Sequence, residues 1–442
     1  MKFLLRLNSL GIRAPRLAGA VNMKRKFYFS RHLPRLGLCL LTLASWLRAV
    51  PPETPRLPEE IDDAVAQLSH FTGLKLFKRV DYAVLDRQQL ARVLEERAQS
   101  ELDRKEVQAE ERALKKLGLI PQHYDLLRGT LDLLGEQAEA FYDYRKKKMF
   151  MVQSERPLQP AVVVHELAHA LADQHFDLHK FIKRSRNGEN SLARMAVMEG
   201  QATWLMYEWL AAKAGQSLRS SPAIAQLMSG SSPTVTSQYP VLDKAPLYMR
   251  TSLLFPYTAG LRFQQAVIEK LGERGFAEVY RNPPLNTSEV LHPERYFARE
   301  RIQEPALPSF PDEKKYRELY SGVLGELDFS ILFETYSSRQ DAERVAPLWR
   351  AGQFQLLEDK RSGRLVLRHA SLWESPQAAQ QALHLLAQSL KGKWRDCQFS
   401  REQPNLIAGQ GDDGYFVAYA SANAVFALEG LPAPAPDPQL TR

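Results

Sequence analysis

The chain has 442 residues, 44% hydrophobic and 25% charged, with two cysteines. That balance suits a globular protein of two or three units and excludes a mostly disordered chain, a collagen-like fibre and a polytopic membrane protein. The net charge of +8 comes from one end: residues 1–50 hold ten basic residues and no acidic one, leaving 49 basic against 51 acidic beyond them. A body so close to neutral argues against a nucleic-acid partner.

Residues 23–49 place a basic stretch before an apolar run from Leu36 to Leu47. This is the pattern of a secretory signal, and the run falls short of the roughly 20 residues that span a bilayer. Residues 1–50 therefore read as an export signal, or as a membrane anchor if retained, with Met23 as an alternative start. The expected location is periplasmic or extracellular, with membrane contact only through the leader. Cys39 lies inside that leader, so only Cys397 remains in the exported body. A disulfide within one chain and a cysteine-ligated zinc are both excluded. Cys397 is expected to be an inert, partly buried small hydrophobe.

Residues 51–58 (PPETPRLP) form a proline-rich linker. Residues 59–118 read as strongly helical, with Asp86 capping one long helix from Arg87 to about Leu117. Its alternating charges suggest a solvated outer helix. A further helix is expected around Tyr124–Leu134 and a strand over 147–153. Pro157 and Pro160 bracket the start of an apolar, buried helix from Ala161 to about His175. A turn at Asn187–Asn190 precedes a second apolar helix over 191–214. Residues 216–245 read as a long Ser- and Pro-rich loop, 258–271 as a helix and Pro283-Pro284 as a loop. Residues 325–430 are expected to form a separate α+β module. It has a helix at 338–346, strands near 353–358, 364–370, 405–408 and 414–420, and a helix capped by Ser375 with proline in its first turn. The tail 431–442 is expected to be disordered. The fold class is α+β.

The chemistry lies in His165-Glu166-Leu167-Ala168-His169. Positions i and i+4 of a helix are about 40° apart, so both imidazoles project from one face. Two neutral imidazoles at that spacing can hold a zinc ion from one side, and Glu166 can reach an attacking water without ligating. The surrounding residues Val162–Val164, Leu167, Ala168, Ala170 and Leu171 are apolar. Two histidines and a glutamate in such a helix are costly unless something pairs with them.

A catalytic zinc needs a third ligand. Glu199 stands in the middle of an apolar stripe on the next helix, where a metal would supply the counter-charge. Its alternative is a buried salt bridge, for instance to Arg194. Gly200 beside it would allow close helix packing. His175, six residues after His169, is a rival ligand, and Asp173 could accept an imidazole N–H. Two imidazoles and a carboxylate suit Zn2+ best among divalent ions.

This constellation resembles the gluzincin branch of zinc metallopeptidases. More closely, VVVHELAHALADQHFDL, ARMAVMEGQAT and LNTSEVLHPERYF resemble a family of exported bacterial metallopeptidase-like proteins. The likeness covers roughly residues 57–300 and, more loosely, the C-terminal module. It implies a zincin-like metallopeptidase domain over 59–320, with His165, His169 and Glu199 as metal ligands and Glu166 as catalytic base. Gln201 departs from it, standing where that family often has an acidic residue. The resemblance also implies that 147–153 could be the edge strand on which a peptide aligns, and that residues 59–140 belong to the domain rather than to a propeptide. Tyr257, His292 and Arg250 are candidate donors to a tetrahedral oxyanion. The leading expectation is an exported zinc metallopeptidase acting on a peptide or protein. The alternatives are a non-catalytic envelope binding or scaffold protein on the same frame and a membrane-anchored assembly factor.

Overall fold

The computed structural model describes residues 57–153, 158–221 and 239–434. The leader with Met23 and Cys39, most of the linker, Pro157, residues 222–238 of the expected long loop and the end of the tail lie outside the described residues. The protein is α+β, with a helical N-terminal part around a small sheet and a C-terminal part built on a large one.

The N-terminal part runs α1 (Leu57–Thr72), β1 (Asp81–Leu85), α2 (Arg87–Glu101), α3 (Arg104–Leu117), α4 (Leu126–Gln137), β2 (Ala140–Asp143), β3 (Lys148–Val152), α5 (Pro160–Phe176), α6 (Leu178–Lys183) and α7 (Gly188–Lys213). It continues with α8 (Pro240–Lys244), α9 (Leu247–Leu271), α10 (Gly275–Arg281), α11 (Thr287–Leu291) and α12 (Pro293–Ala298). The C-terminal part has β4 (Tyr316–Gly322), α13 (Glu326–Tyr336), α14 (Arg339–Val345), β5 (Trp349–Asp359), β6 (Leu365–Trp373), α15 (Pro376–Lys393), β7 (Gln398–Gln403), β8 (Leu406–Gly411), β9 (Gly414–Ser421) and β10 (Ala424–Leu431).

Several expectations are corrected. Asp86 does cap α2, accepting from the Gln89 N–H, with the Gln89 side chain returning the bond. The helix it opens is not continuous, however. Leu102 is extended, and Asp103 caps a new helix, α3, through the Lys105 N–H. The break lets α3 turn Val107, Ala113, Leu114 and Leu117 inward, so it is no solvated outer helix. It also reaches the C-terminal sheet through ion pairs Arg112–Glu358 and Lys116–Asp413. The fourth helix runs from Leu126, slightly later than expected, and α9 starts at Leu247 despite Pro256 inside it. Burial on most sides of α9 outweighs the hydrogen bond that proline removes.

The strand expected over 147–153 is present as β3 but is not an edge. The small sheet has the order β1-β3-β2, with β1 parallel and β2 antiparallel to it. Paired on both sides, β3 has no free backbone edge for a peptide, and the strand beside α5 is β2. Val152 N–H donates to the Glu139 carbonyl. By antiparallel alternation Ala140 and Tyr142 therefore turn their backbone groups away from β3.

The large sheet is antiparallel, in the order β4-β5-β6-β10-β9-β8-β7. β4 pairs with β5, so the C-terminal part starts earlier than residue 325. One hydrophobic core runs from Ile61 through α5, α7 and α9 to Ala427, joining the two parts. Cys397 is half-buried against that core, and burial pushes its thiol up, as its inert reading expected. Among the described residues no helix is long and apolar enough to cross a membrane.

Candidate metal centre

Gln159 is the N-cap of α5, Pro160 opens the helix, and Asp177 closes it in the left-handed region. Almost all of its residues from Val162 to Asp173 are buried, because α1, α7, β2 and β3 pack around it. Asn187 caps α7 through the Asn190 N–H, which is why the expected turn at 187–190 is a helix start. α7 in turn packs most closely on α9. Gly200 and Gly260 face each other at that crossing: a Cβ on Gly200 would collide with the Gly260 backbone, and one on Gly260 with the Ala196 carbonyl. The close approach foreseen at Gly200 is therefore made to α9, and it fixes the turn of α7 that carries Glu199.

The result is one converging cluster. The Nε2 atoms of His165 and His169 lie 3.1 Å apart, and each is 3.2 Å from Oε2 of Glu199. All three side chains are buried, with exposures of 0, 2 and 0%. These three residues form a group able to hold a metal ion. The three atoms do not pair off: both rings turn the same nitrogen toward the same oxygen. Oε1 of Glu199 and Nδ1 of His169 stay buried with no hydrogen bond among the described residues. Tetrahedral zinc with bonds of about 2.0–2.1 Å needs ligand atoms roughly 3.3–3.4 Å apart. The observed triangle is within a few tenths of an ångström of that, so the donor set and its spacing fit a divalent ion. Burial opposes the charge on Glu199, but the His169 and His165 rings outweigh it and hold the carboxyl well below the usual carboxylate range. Burial likewise opposes a charge on His169, and Glu199 outweighs it, raising that imidazole.

Glu166 is fully buried. Its Oε2 accepts the Tyr142 N–H of β2 at 2.8 Å, one of the two β2 residues turned away from β3. This fixes the carboxylate between the strand and the His165 turn. Tyr257 on α9 lies beside the cluster, its ring stacked on His165 with centroids 6.2 Å apart. Arg250 stands two turns before it on the same face, its Nε buried without a hydrogen bond among the described residues.

Other expectations find different partners. His292 is not brought to the triad; its Nε2 bonds Glu326 on α13 at 2.8 Å, alongside Arg295. His175 turns to the Lys75 carbonyl at 2.8 Å and packs on Phe77, so it is not a ligand. Arg194 bonds Asn190 and the Phe181 carbonyl rather than Glu199. Asp173 is engaged by other donors. Its carboxylate takes the Tyr142 hydroxyl, the Lys147 ammonium and the Leu178 N–H. Burial and Asp173 push the Tyr142 phenol far above its ordinary value, so it stays a donor. Gln201 is buried, with Oε1 lacking a hydrogen bond among the described residues. Reading the sequence missed the Tyr142 amide and Lys147. The signal available was the aromatic-basic run FYDYRKKK, which shows a strand and turn but not what they face.

Comparison of the chain with known protein families, with curated proteins and with solved structures finds no match.

Proposed function

We propose that the chain is a zinc-dependent peptidase of the gluzincin type, with His165, His169 and Glu199 holding the ion and Glu166 as general base. The observation that carries this reading is the buried His165–His169–Glu199 triangle with a second, strand-anchored carboxylate one residue along from its first member. A divalent ion held there supplies a Lewis acid for the scissile carbonyl and acidifies water. Glu166, held by the Tyr142 amide, takes a proton from the attacking water and passes it to the leaving amine. Tyr257, stacked on His165, is the donor best placed to meet the developing oxyanion. A peptide would align on β2, the strand next to α5, rather than on β3. Export through the N-terminal leader is part of the same proposal.

A second reading has its own observation. The four site residues are at most 2% exposed, and every residue of β2 is buried. A non-catalytic binding or scaffold protein with a structural ion needs no access to the centre. Glu166→Gln separates the two readings. Under the first, the wild-type chain cleaves a peptide pool in a chelator-sensitive way, and the variant loses at least 100-fold while keeping its metal. Cleavage undiminished in the variant removes Glu166 as base. A fully metal-loaded wild type that cleaves nothing leaves the second reading.

A further inference from the structure

A cleft of about 550 Å³ opens beyond the C-terminal end of the metal helix, lined by Tyr144, Arg145, Lys147, Asp177, His179 and Lys183. Two segments form it: the turn between β2 and β3, and the corner where α5 passes into α6. Both are tied to the candidate centre through one side chain. Asp173 is four residues after His169, about 6 Å along the helix. It receives Lys147 from the turn, with both oxygens 2.8 Å from Nζ, and the Leu178 N–H from the corner. Lys147 holds a left-handed backbone, φ 53°, to make that reach. The Tyr144 and His179 rings stack across the cleft, with centroids 6.0 Å apart.

The two segments that form the cleft are basic, and Arg145, Lys147 and Lys183 line it. Residues 144–148 and 177–186 carry eight basic side chains and one acidic, in a body that is otherwise net acidic. The one acid, Asp177, is paired with Lys180, and Lys147 is neutralised by Asp173. Lys183 makes no ion pair with a described residue. The large apolar side chains exposed elsewhere (Phe77, Tyr82, Val84, Leu285, Ile302) are not part of the lining. That favours a single anionic side chain over a lipid surface, where apolar residues would be expected to insert.

We propose that this cleft receives an acidic side chain, Asp or Glu, of the peptide substrate, with Lys183 as its partner and Lys147 and Asp173 as positioning residues. The proposal rests on the peptidase reading for the identity of the ligand. A strand laid antiparallel on β2 runs its N-terminal end toward Asp143 and so toward the cleft. The acidic residue therefore lies on the N-terminal side of the bond cleaved.

The test uses the full metal-loaded Glu166→Gln chain and two fluorescent peptides that differ only in Glu against Gln at two positions. Anisotropy should show the Glu peptide binding about fivefold more tightly, with the difference shrinking in high salt. Lys183→Glu should abolish the preference, and a Lys-containing peptide should now bind better, with the far-UV spectrum and melting temperature unchanged. Equal binding of both peptides, or a preference untouched by Lys183→Glu, overturns the proposal. So does Lys183-dependent binding to phosphatidylglycerol vesicles without discrimination between peptides. Discrimination in the variant combined with no cleavage by the wild type removes the peptidase reading and keeps the cleft.

Discussion

If His165, His169 and Glu199 hold an ion, removing it should weaken the protein by an amount that the geometry bounds. The triangle is built from α5 and α7, two helices that both belong to the main core. An ion bound there and not in the unfolded chain stabilises by RT ln(1 + [L]/Kd), about 2.7 kcal/mol at 100 times Kd. For a cooperative unit of roughly 350 residues, with an unfolding entropy of about 2.1 cal/mol/K per residue, 1 kcal/mol moves the melting temperature by about 1–1.5 °C, so zinc loading should raise it by roughly 3–4 °C. His169→Ala removes one of three donors and leaves two ligand atoms, too few for a protein zinc site. It should lose the metal and become insensitive to zinc and to chelator. The assay is scanning fluorimetry of chelated and zinc-loaded protein, with metal content by mass spectrometry. If Glu199 is instead only an ion pair with a protonated imidazole, the pattern differs. Chelated and zinc-loaded wild type then melt together, and His169→Ala costs up to about 3–5 kcal/mol, because the buried Glu199 carboxylate keeps only His165 as a partner. Identical melting in both states, or a His169→Ala protein that keeps a full equivalent of metal, refutes the metal centre.

Two further outcomes follow from the packing and the charges. Gly200→Ala puts a Cβ against the Gly260 backbone, which cannot swing aside as a side chain would. It should cost about 1–3 kcal/mol in urea unfolding and weaken zinc affinity, since Glu199 is the neighbouring residue; an unchanged midpoint and affinity would count against the close crossing. Glu189 is buried where α7 meets the C-terminal part, and burial with Asp328 nearby pushes its carboxyl up to about 8 from 4.5. Its folded-state pKa is raised, so the stability it contributes is full below about pH 4.5 and is lost as pH rises toward 8. Glu189→Gln should therefore melt higher than wild type at pH 8.5 and lose that advantage at pH 4.5; an equal difference at both pH values would refute the assignment.

The sequence made the chemistry more legible than the architecture. His165, Glu166 and His169 declare themselves because helical spacing is a local property, and Glu199 because a charge in an apolar stripe is costly wherever it folds. What orients them is non-local. The amide that fixes Glu166 belongs to Tyr142, and a strand sequence does not say which face its N–H takes or which neighbour pairs with it. The same limit made β3 look like an edge strand. Only its pairing with β1, about 65 residues earlier, puts it in the centre. Pro256 hid the first half of α9 because proline is a local stop signal, overridden here by burial against α7. Leu102 conceals the opposite case, a break in a run of strong helix formers. His292 and His175 were plausible on composition and position, yet each has a nearer partner, Glu326 or the Lys75 carbonyl.

Burial of the centre is the feature that divides the two functional readings, and it does so quantitatively. The glycine crossing and the Glu166–Tyr142 bond hold Glu199 and Glu166 in fixed register with the two histidines, which suits both catalysis and a structural ion. Hydrolysis additionally needs a state in which a peptide reaches Glu166. If that state is a fraction f of the population, the apparent substrate affinity is the intrinsic affinity multiplied by f. Metal retention needs no such state, because the centre is complete when closed. The two properties should therefore separate under perturbations that loosen the packing around β2 without touching a ligand. In a peptidase, loosening raises f, and turnover rises before metal affinity falls. In a protein whose ion is structural, the same changes weaken metal binding and no activity emerges.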